Sequence, residues 1–157
     1  VYMIGNAVAQ SAQPIISYNY GSGDSCRVRS TLRVALLAAV VCGGSVSAAF
    51  VFFPYQLVEL FINTNEAAFP LAVKGFPLMA TAFVFFIVNL TLIGYYQSVE
   101  RVRPAMVFAL LRGIFFLVPC FLVLPLWFDE TGIWIALGMS EMLTTLCIIG
   151  YMWHGNR

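Results

Sequence analysis

Charge is what this sequence has least of. Only 10% of its 157 residues are Asp, Glu, Lys or Arg, against about 25% in a soluble domain. A chain of this length folding in water would need a charged surface around its core, and there is too little charge to make one. Apolar residues reach 61% and the mean hydropathy is +0.90, so the exterior is suited to lipid. A net charge of +1, with basic residues scattered and no aromatic platform between them, excludes nucleic acid as a partner.

Other absences narrow the function. The four cysteines, Cys26, Cys42, Cys120 and Cys147, stand alone with no CxxC pair and no neighbouring histidine. This is neither a zinc pattern nor a disulfide framework, and Cys in apolar segments behaves as a small hydrophobe. The single histidine, His154, lies in the C-terminal tail. There is no GxSxG, P-loop, HExxH or GxGxxG, and no nucleophile–base or metal constellation, so the chain does not read as an enzyme and implies no cofactor. It also lacks an initiator Met and a signal peptide. Val1 already falls in a helical-looking segment, and the expectation is a fragment whose N-terminal portion is missing.

What is present is a series of long apolar runs. A spanning helix needs about 20 mostly apolar residues, and four segments qualify: 34–62, 69–98, 104–128 and 132–153. Residues 1–20 are apolar but dotted with Asn6, Gln10, Gln13 and Asn19, which suits the end of a truncated span facing protein or water. The connections are short: GSGDSCRVRS (21–30), NTNEAAF (63–69), VERVR (99–103) and DETG (129–132). The predicted fold is therefore an all-α polytopic helical bundle, with four full transmembrane helices plus a partial one. Neighbouring spans are antiparallel, and no room is left for a soluble domain.

Charge sorting gives an orientation. Arg27, Arg29 and Arg33, then Arg101 and Arg103, then Arg157 fall on one side if four spans alternate. The other side carries Glu59, Glu66, Asp129 and Glu130, with Lys74 its only base. By the positive-inside rule the arginine side and the C-terminus are cytoplasmic. Dropping one span would scatter these arginines over both faces. Glu59 and Lys74 read as snorkelling residues near span ends.

Glycine and proline are frequent inside the spans, at Gly43, Gly44, Pro77, Gly94, Pro119 and Gly138. Pro119 is expected to kink the third full span. Gly43, Gly44, Ser45, Ser47 and Ala48 allow close helix approach. Trp127, Trp134 and Trp153 fall at span ends, as interfacial belt residues do. Phe83, Phe85 and Phe86 suit lipid or packing contact, with the lining of an apolar drug cavity as the alternative.

Ionisable groups inside a span cost at least about 2.5–3.5 kcal/mol on insertion scales, and two stand out. Arg112 lies roughly 12 Å from the arginine-side start of its span, and Glu141 roughly 18 Å deep from the same side in the next. The gap of roughly 6 Å is within reach of an arginine side chain, so an Arg112–Glu141 ion pair is expected, direct or through water. Two roles remain open: a lock between helices, or a site where Glu141 titrates during transport and Arg112 tunes it. A second set of neutral polar residues comprises Gln10, Gln13, Asn19, Asn89, Thr91 and Gln97. Pro14 removes a backbone donor and frees a carbonyl near Gln10, where a side-chain amide can bind a substrate or ion. Interhelical hydrogen bonding is the plainer use of these amides. The sequon Asn89-Leu90-Thr91 lies in mid-membrane and is discounted.

Several runs resemble a known family. Gln13-Pro14-Ile15-Ile16-Ser17-Tyr18-Asn19-Tyr20-Gly21-Ser22-Gly23, followed by Arg27, resembles the Q-P-I/L-x-G/S-Y-N-Y-G-A-G signature of multidrug and toxic compound extrusion (MATE) transporters. Gly94-Tyr95-Tyr96-Gln97-Ser98 with Arg103-Pro104-Ala105 resembles the family's segment between helices ten and eleven. Leu110-Leu111-Arg112, Gly132-Ile133-Trp134 and Ser140-Glu141 match the C-terminal lobe. Each run is weakly specific; their order and spacing over nearly the whole chain are strongly so. The resemblance implies the C-terminal lobe, helices eight (truncated) to twelve, of a twelve-helix antiporter in the bacterial inner membrane. Such a protein exports cationic or amphipathic drugs in exchange for H⁺ or Na⁺. Its partners would be the lipid bilayer, the N-terminal lobe of the same chain and small organic drug substrates, and the segment alone would be inactive. Gln13, Arg112 and Glu141 are carried over as pathway candidates, beside Gln10, Asn19, Asn89 and Gln97. Where some branches place an acid in helix ten, spacing puts Phe86 here, which leaves the coupling ion open. The alternatives are a lipid-linked saccharide flippase of related architecture, which usually has a more cationic cavity, and a non-transporting helical membrane subunit.

Overall fold

A computed structural model describes residues 1–154 and is helical almost throughout. Arg157, grouped above with the arginine side, lies outside the described residues. Helix α1 spans Tyr2–Gly21, α2 Ser25–Phe52, α3 Pro54–Glu59 and α4 Ala68–Ser98. Helix α5 (Val102–Leu110) runs into a π-helical turn (Leu111–Phe116) and then α6 (Leu117–His154). Three stretches, Ser25–Phe52, Ala68–Ser98 and Val102–His154, are long and apolar enough to cross a membrane.

The last of these has 53 residues, which at 1.5 Å per residue is about 80 Å and more than twice the hydrocarbon thickness. It does not run straight. Asp129 has φ 49° and ψ −134°, foreign to a helix, and the chain folds back there. A side chain added at Gly132 would collide with the Leu124 carbonyl. The two arms, before and after Asp129, are the two spans that the sequence separates at 129–132.

Three boundaries differ from expectation. Helix α2 begins at Ser25 rather than 34, because the Asp24 carboxylate accepts the Arg27 backbone N–H at 3.0 Å and caps it. The connection is therefore only Ser22–Asp24, with Gly23 at φ 77° supplying the turn. The span expected over 34–62 breaks at Phe53, since Pro54 cannot continue the ladder and instead starts α3. At Pro119 the helix continues, and the disturbance appears one turn earlier as the π-helical segment. The proline ring crowds the carbonyl four residues back, at Phe115, and a wider turn relieves that clash. Losing the Asp24 cap by Asp24→Ala should cost about 1 kcal/mol, measurable as a lower detergent-solubilised melting temperature. An unchanged melting temperature would mean that the cap adds nothing here.

Helix α4 is the central element and packs against α1, α2 and the second arm of α6. Small residues let it do so. Gly5 of α1 meets Ile87 and Leu90, Gly43 of α2 meets the Val84 backbone, and Gly75 of α4 is covered by the Trp134 ring. Trp134 is thus spent on helix packing, whereas Trp127 and Trp153 are 79% and 71% exposed as belt residues are. Near the arginine end, Leu32, Leu92, Ile93, Tyr96, Ala105, Phe108 and Ile148 form one core joining α2, α4, α5 and α6. The outward faces carry large apolar side chains such as Val34, Leu37, Leu122 and Leu126, consistent with lipid as solvent.

Arg29, Arg33 and Arg101 border a single cavity at one end. Lys74 and Glu130 border another, formed by the start of α4 and the fold-back near Asp129.

Candidate functional site

The buried network is built on α4 and the two arms that meet at Asp129. Glu141 is 2% exposed and Asn89 fully buried. Arg112 donates from Nε to Glu141 Oε1 at 2.7 Å. Asn89 donates from Nδ2 to Glu141 Oε2 at 2.8 Å and to the Glu141 carbonyl at 2.9 Å. Thr145 Oγ1 lies 2.9 Å from Asn89 Oδ1 and 3.0 Å from the Glu141 carbonyl. With one proton, that hydroxyl donates to one of them at a time. Phe86 closes the other side, with the Arg112 guanidinium carbon 4.2 Å from its ring centroid. Glu141 and Arg112 are 29 residues apart in sequence, about 44 Å along a straight helix, so the fold-back creates the pair.

Local structure sets each position. Arg112 sits on the π-helical turn, where the inserted residue changes the helical phase. Gly138, one turn before Glu141, packs against Thr81 of α4, and this close approach lets Asn89 reach the Glu141 backbone. Every buried side-chain N or O among the described residues has a hydrogen-bond partner. Capacity is nonetheless left over. Two of the roughly four lone-pair sites on the carboxylate are used, and Arg112 commits only Nε of its five N–H donors.

The expected Arg112–Glu141 pair is therefore direct, and Asn89 joins it. The other candidates lie elsewhere. Gln13 Nε2 faces Gln97 Oε1 at 3.4 Å, between α1 and α4. Asn19 is buried but donates to the Ile15 carbonyl of its own helix at 2.8 Å. Thr91 bonds the Ile87 carbonyl, and Gln10 is exposed on α1. Thr145 and Phe86 were not singled out as partners of the ion pair, although helical spacing carries the signal. Thr145 is four residues after Glu141 and Phe86 three before Asn89, so each shares a helix face with a member of the network.

A multi-pass α-helical membrane protein with a carboxylate–guanidinium–amide network in its interior is the class these observations define. The family model MatE matches residues 1–122, and the chain belongs to that family. The match includes Asn89 and Arg112, while Glu141 and Thr145 lie beyond it. No curated protein sequence matches at a significant level. Among solved structures, the MATE multidrug transporter DinF-BH, determined in complex with a ligand, aligns with a TM-score of 0.86 at 25% identity. The alignment covers 97% of this chain and 34% of that one, so the chain spans about a third of the transporter it resembles.

Proposed function

We propose that residues 1–157 are most of the C-terminal lobe, helices eight (truncated) to twelve, of a secondary active antiporter. It would export cationic or amphipathic drugs in exchange for H⁺ or Na⁺ across a bacterial inner membrane. The C-terminus would be cytoplasmic, and an N-terminal lobe would complete the cavity. The observation that carries this reading is the buried Glu141 carboxylate, half-saturated and held between Arg112 and Asn89 in the bundle interior. Intramembrane ionisable groups of this kind mark ion and proton pathways. Two packed lobes rocking about such a site is the general logic of repeat-built transporters.

Chemically, the network has two states. With Glu141 ionised, both oxygens accept charge-assisted hydrogen bonds. A proton or Na⁺ arriving at the unused lone pairs would compete with Arg112, whose long side chain can swing toward the bundle surface. Loading would loosen the tie between the two arms of the fold-back, and release would restore it. Glu141→Gln in the complete protein should lower drug efflux to the level of cells lacking the protein, with expression and detergent extraction matched. Imposing H⁺ and Na⁺ gradients separately on wild type names the ion. Unchanged efflux in the variant would assign Glu141 to helix packing and move coupling to the other lobe.

A further inference from the structure

At the arginine end, α1 stops at Gly21, α2 starts at Ser25, α4 stops at Ser98, α5 starts at Val102 and α6 stops at His154. Between these termini lies a cavity of about 570 Å³. Arg29, Arg33 and Arg101 border it together with Tyr20, Tyr95 and Tyr151. No carboxylate borders it. Among the described residues the ion pairs are Arg27–Asp24 and Arg112–Glu141, and neither involves these three arginines. Three arginines that form no ion pair thus border one concavity, with the nearest acids in sequence, Asp24 and Glu100, outside its lining. The contrast with Arg27, paired to Asp24 at 3.2 Å, shows that nearby carboxylates are used elsewhere.

We propose that this cavity binds the phosphate of an anionic glycerophospholipid. Guanidinium forks match phosphate oxygens two at a time, and the tyrosine hydroxyls add donors at the rim. Three arginines without an ion-pair partner favour a headgroup with net negative charge over a zwitterionic one. The placement favours a lipid as the source of the phosphate over a soluble ion. Arg33 lies about 12 Å along α2 from Ser25. Its neighbours Val34 and Leu37 are large apolar side chains 64% and 66% exposed, as contact with acyl chains would require. The lining also includes Val28, Leu32 and Met152, which suit the glycerol and upper acyl region below a headgroup. Arg29 and Arg33 additionally border a second cavity of about 490 Å³ with Ser25, Cys26 and Ser30. That cavity gives the same arginines access on a further flank of α2. Basic pockets between membrane helices hold anionic headgroups by this chemistry.

The test uses the complete protein carrying this chain, delipidated in neutral detergent and exposed to equimolar dioleoyl-phosphatidylglycerol and dioleoyl-phosphatidylcholine. Native mass spectrometry then counts the lipids retained. Wild type should prefer phosphatidylglycerol. Arg29→Gln, Arg33→Gln and Arg101→Gln should each reduce the preference about fivefold, as one charge near an anionic headgroup is worth. Arg103→Gln, the same charge change at an exposed residue that borders neither cavity, should leave it intact. Preference retained in all three, or lost equally in Arg103→Gln, would overturn the proposal. Displacement of the lipid by excess inorganic phosphate, with a phosphate adduct in its place, would overturn the lipid as the source.

Discussion

Arg112→Leu is expected to destabilise the protein by about 3–5 kcal/mol, the effect of stripping one partner from a buried ion pair. Glu141 is only 2% exposed, and without Arg112 its Oε1 has no donor, leaving Asn89 alone on Oε2. Phe86 also loses the cation over its ring. The double variant Arg112→Leu/Glu141→Leu should recover most of the loss. Replacing both members of a buried pair by apolar groups is often neutral or better. Asn89 is not orphaned in the double variant, because its Nδ2 still reaches the backbone carbonyl at position 141 and its Oδ1 still accepts from Thr145. SDS-induced unfolding of the purified complete protein measures both. Efflux measured on the same double variant separates the two roles left open by the sequence. Stability restored with efflux lost places the pair in the transport cycle, and both restored makes it a helix lock. A double variant as unstable as Arg112→Leu would refute the account of the single one.

Gly43→Leu should be the most damaging apolar substitution in α2. A Cβ there would lie 2.8 Å from the Val84 Cα and 3.3 Å from the Phe83 carbonyl oxygen. Both are backbone atoms, so no rotamer change relieves the overlap, and α2 must move away from α4. That movement opens the Ser47 Oγ hydrogen bond to the Ala80 carbonyl at 2.6 Å. It also opens the Phe50–Phe83 ring contact, with centroids at 4.7 Å. Overpacking costs about 1–3 kcal/mol, and the lost hydrogen bond about 1 kcal/mol more. Gly44 is the control: a Cβ there meets nothing within 4 Å, so Gly44→Leu should leave the melting temperature within a degree or so of wild type. Equal effects of the two substitutions would show that α2 and α4 are not held by the close approach at Gly43.

Both variants act at helix–helix contacts, and there the sequence was least informative. The helices themselves were legible because the bilayer demands long apolar runs and satisfied backbones. Boundaries slipped where one residue overrode composition. Asp24 capped a helix across Cys26–Ser30, a stretch polar enough to read as loop, and Pro54 ended a helix inside a run that still reads as apolar as far as Ile62. The Arg112–Glu141 pair was legible because two charges at similar depth in adjacent antiparallel spans have few other partners. Asn89 belonged to the candidate list, but its place at the carboxylate was not legible. That depends on the rotation of α4 about its axis, which an apolar helix with no polar face does not encode.

The sequence by itself determined that this chain suits lipid, that it is built of long apolar helices, where the arginines cluster and which two charges meet. Those follow from length, hydropathy and charge, which act residue by residue. The tertiary structure decided which face of each helix is shared. It set the π-helical turn that presents Arg112, the glycine contacts that bring α4 against α2 and α6, and the convergence of Arg29, Arg33 and Arg101 on one cavity. Between apolar helices in an apolar solvent, hydrophobicity does not distinguish one face from another, so shape and a few hydrogen bonds settle the packing.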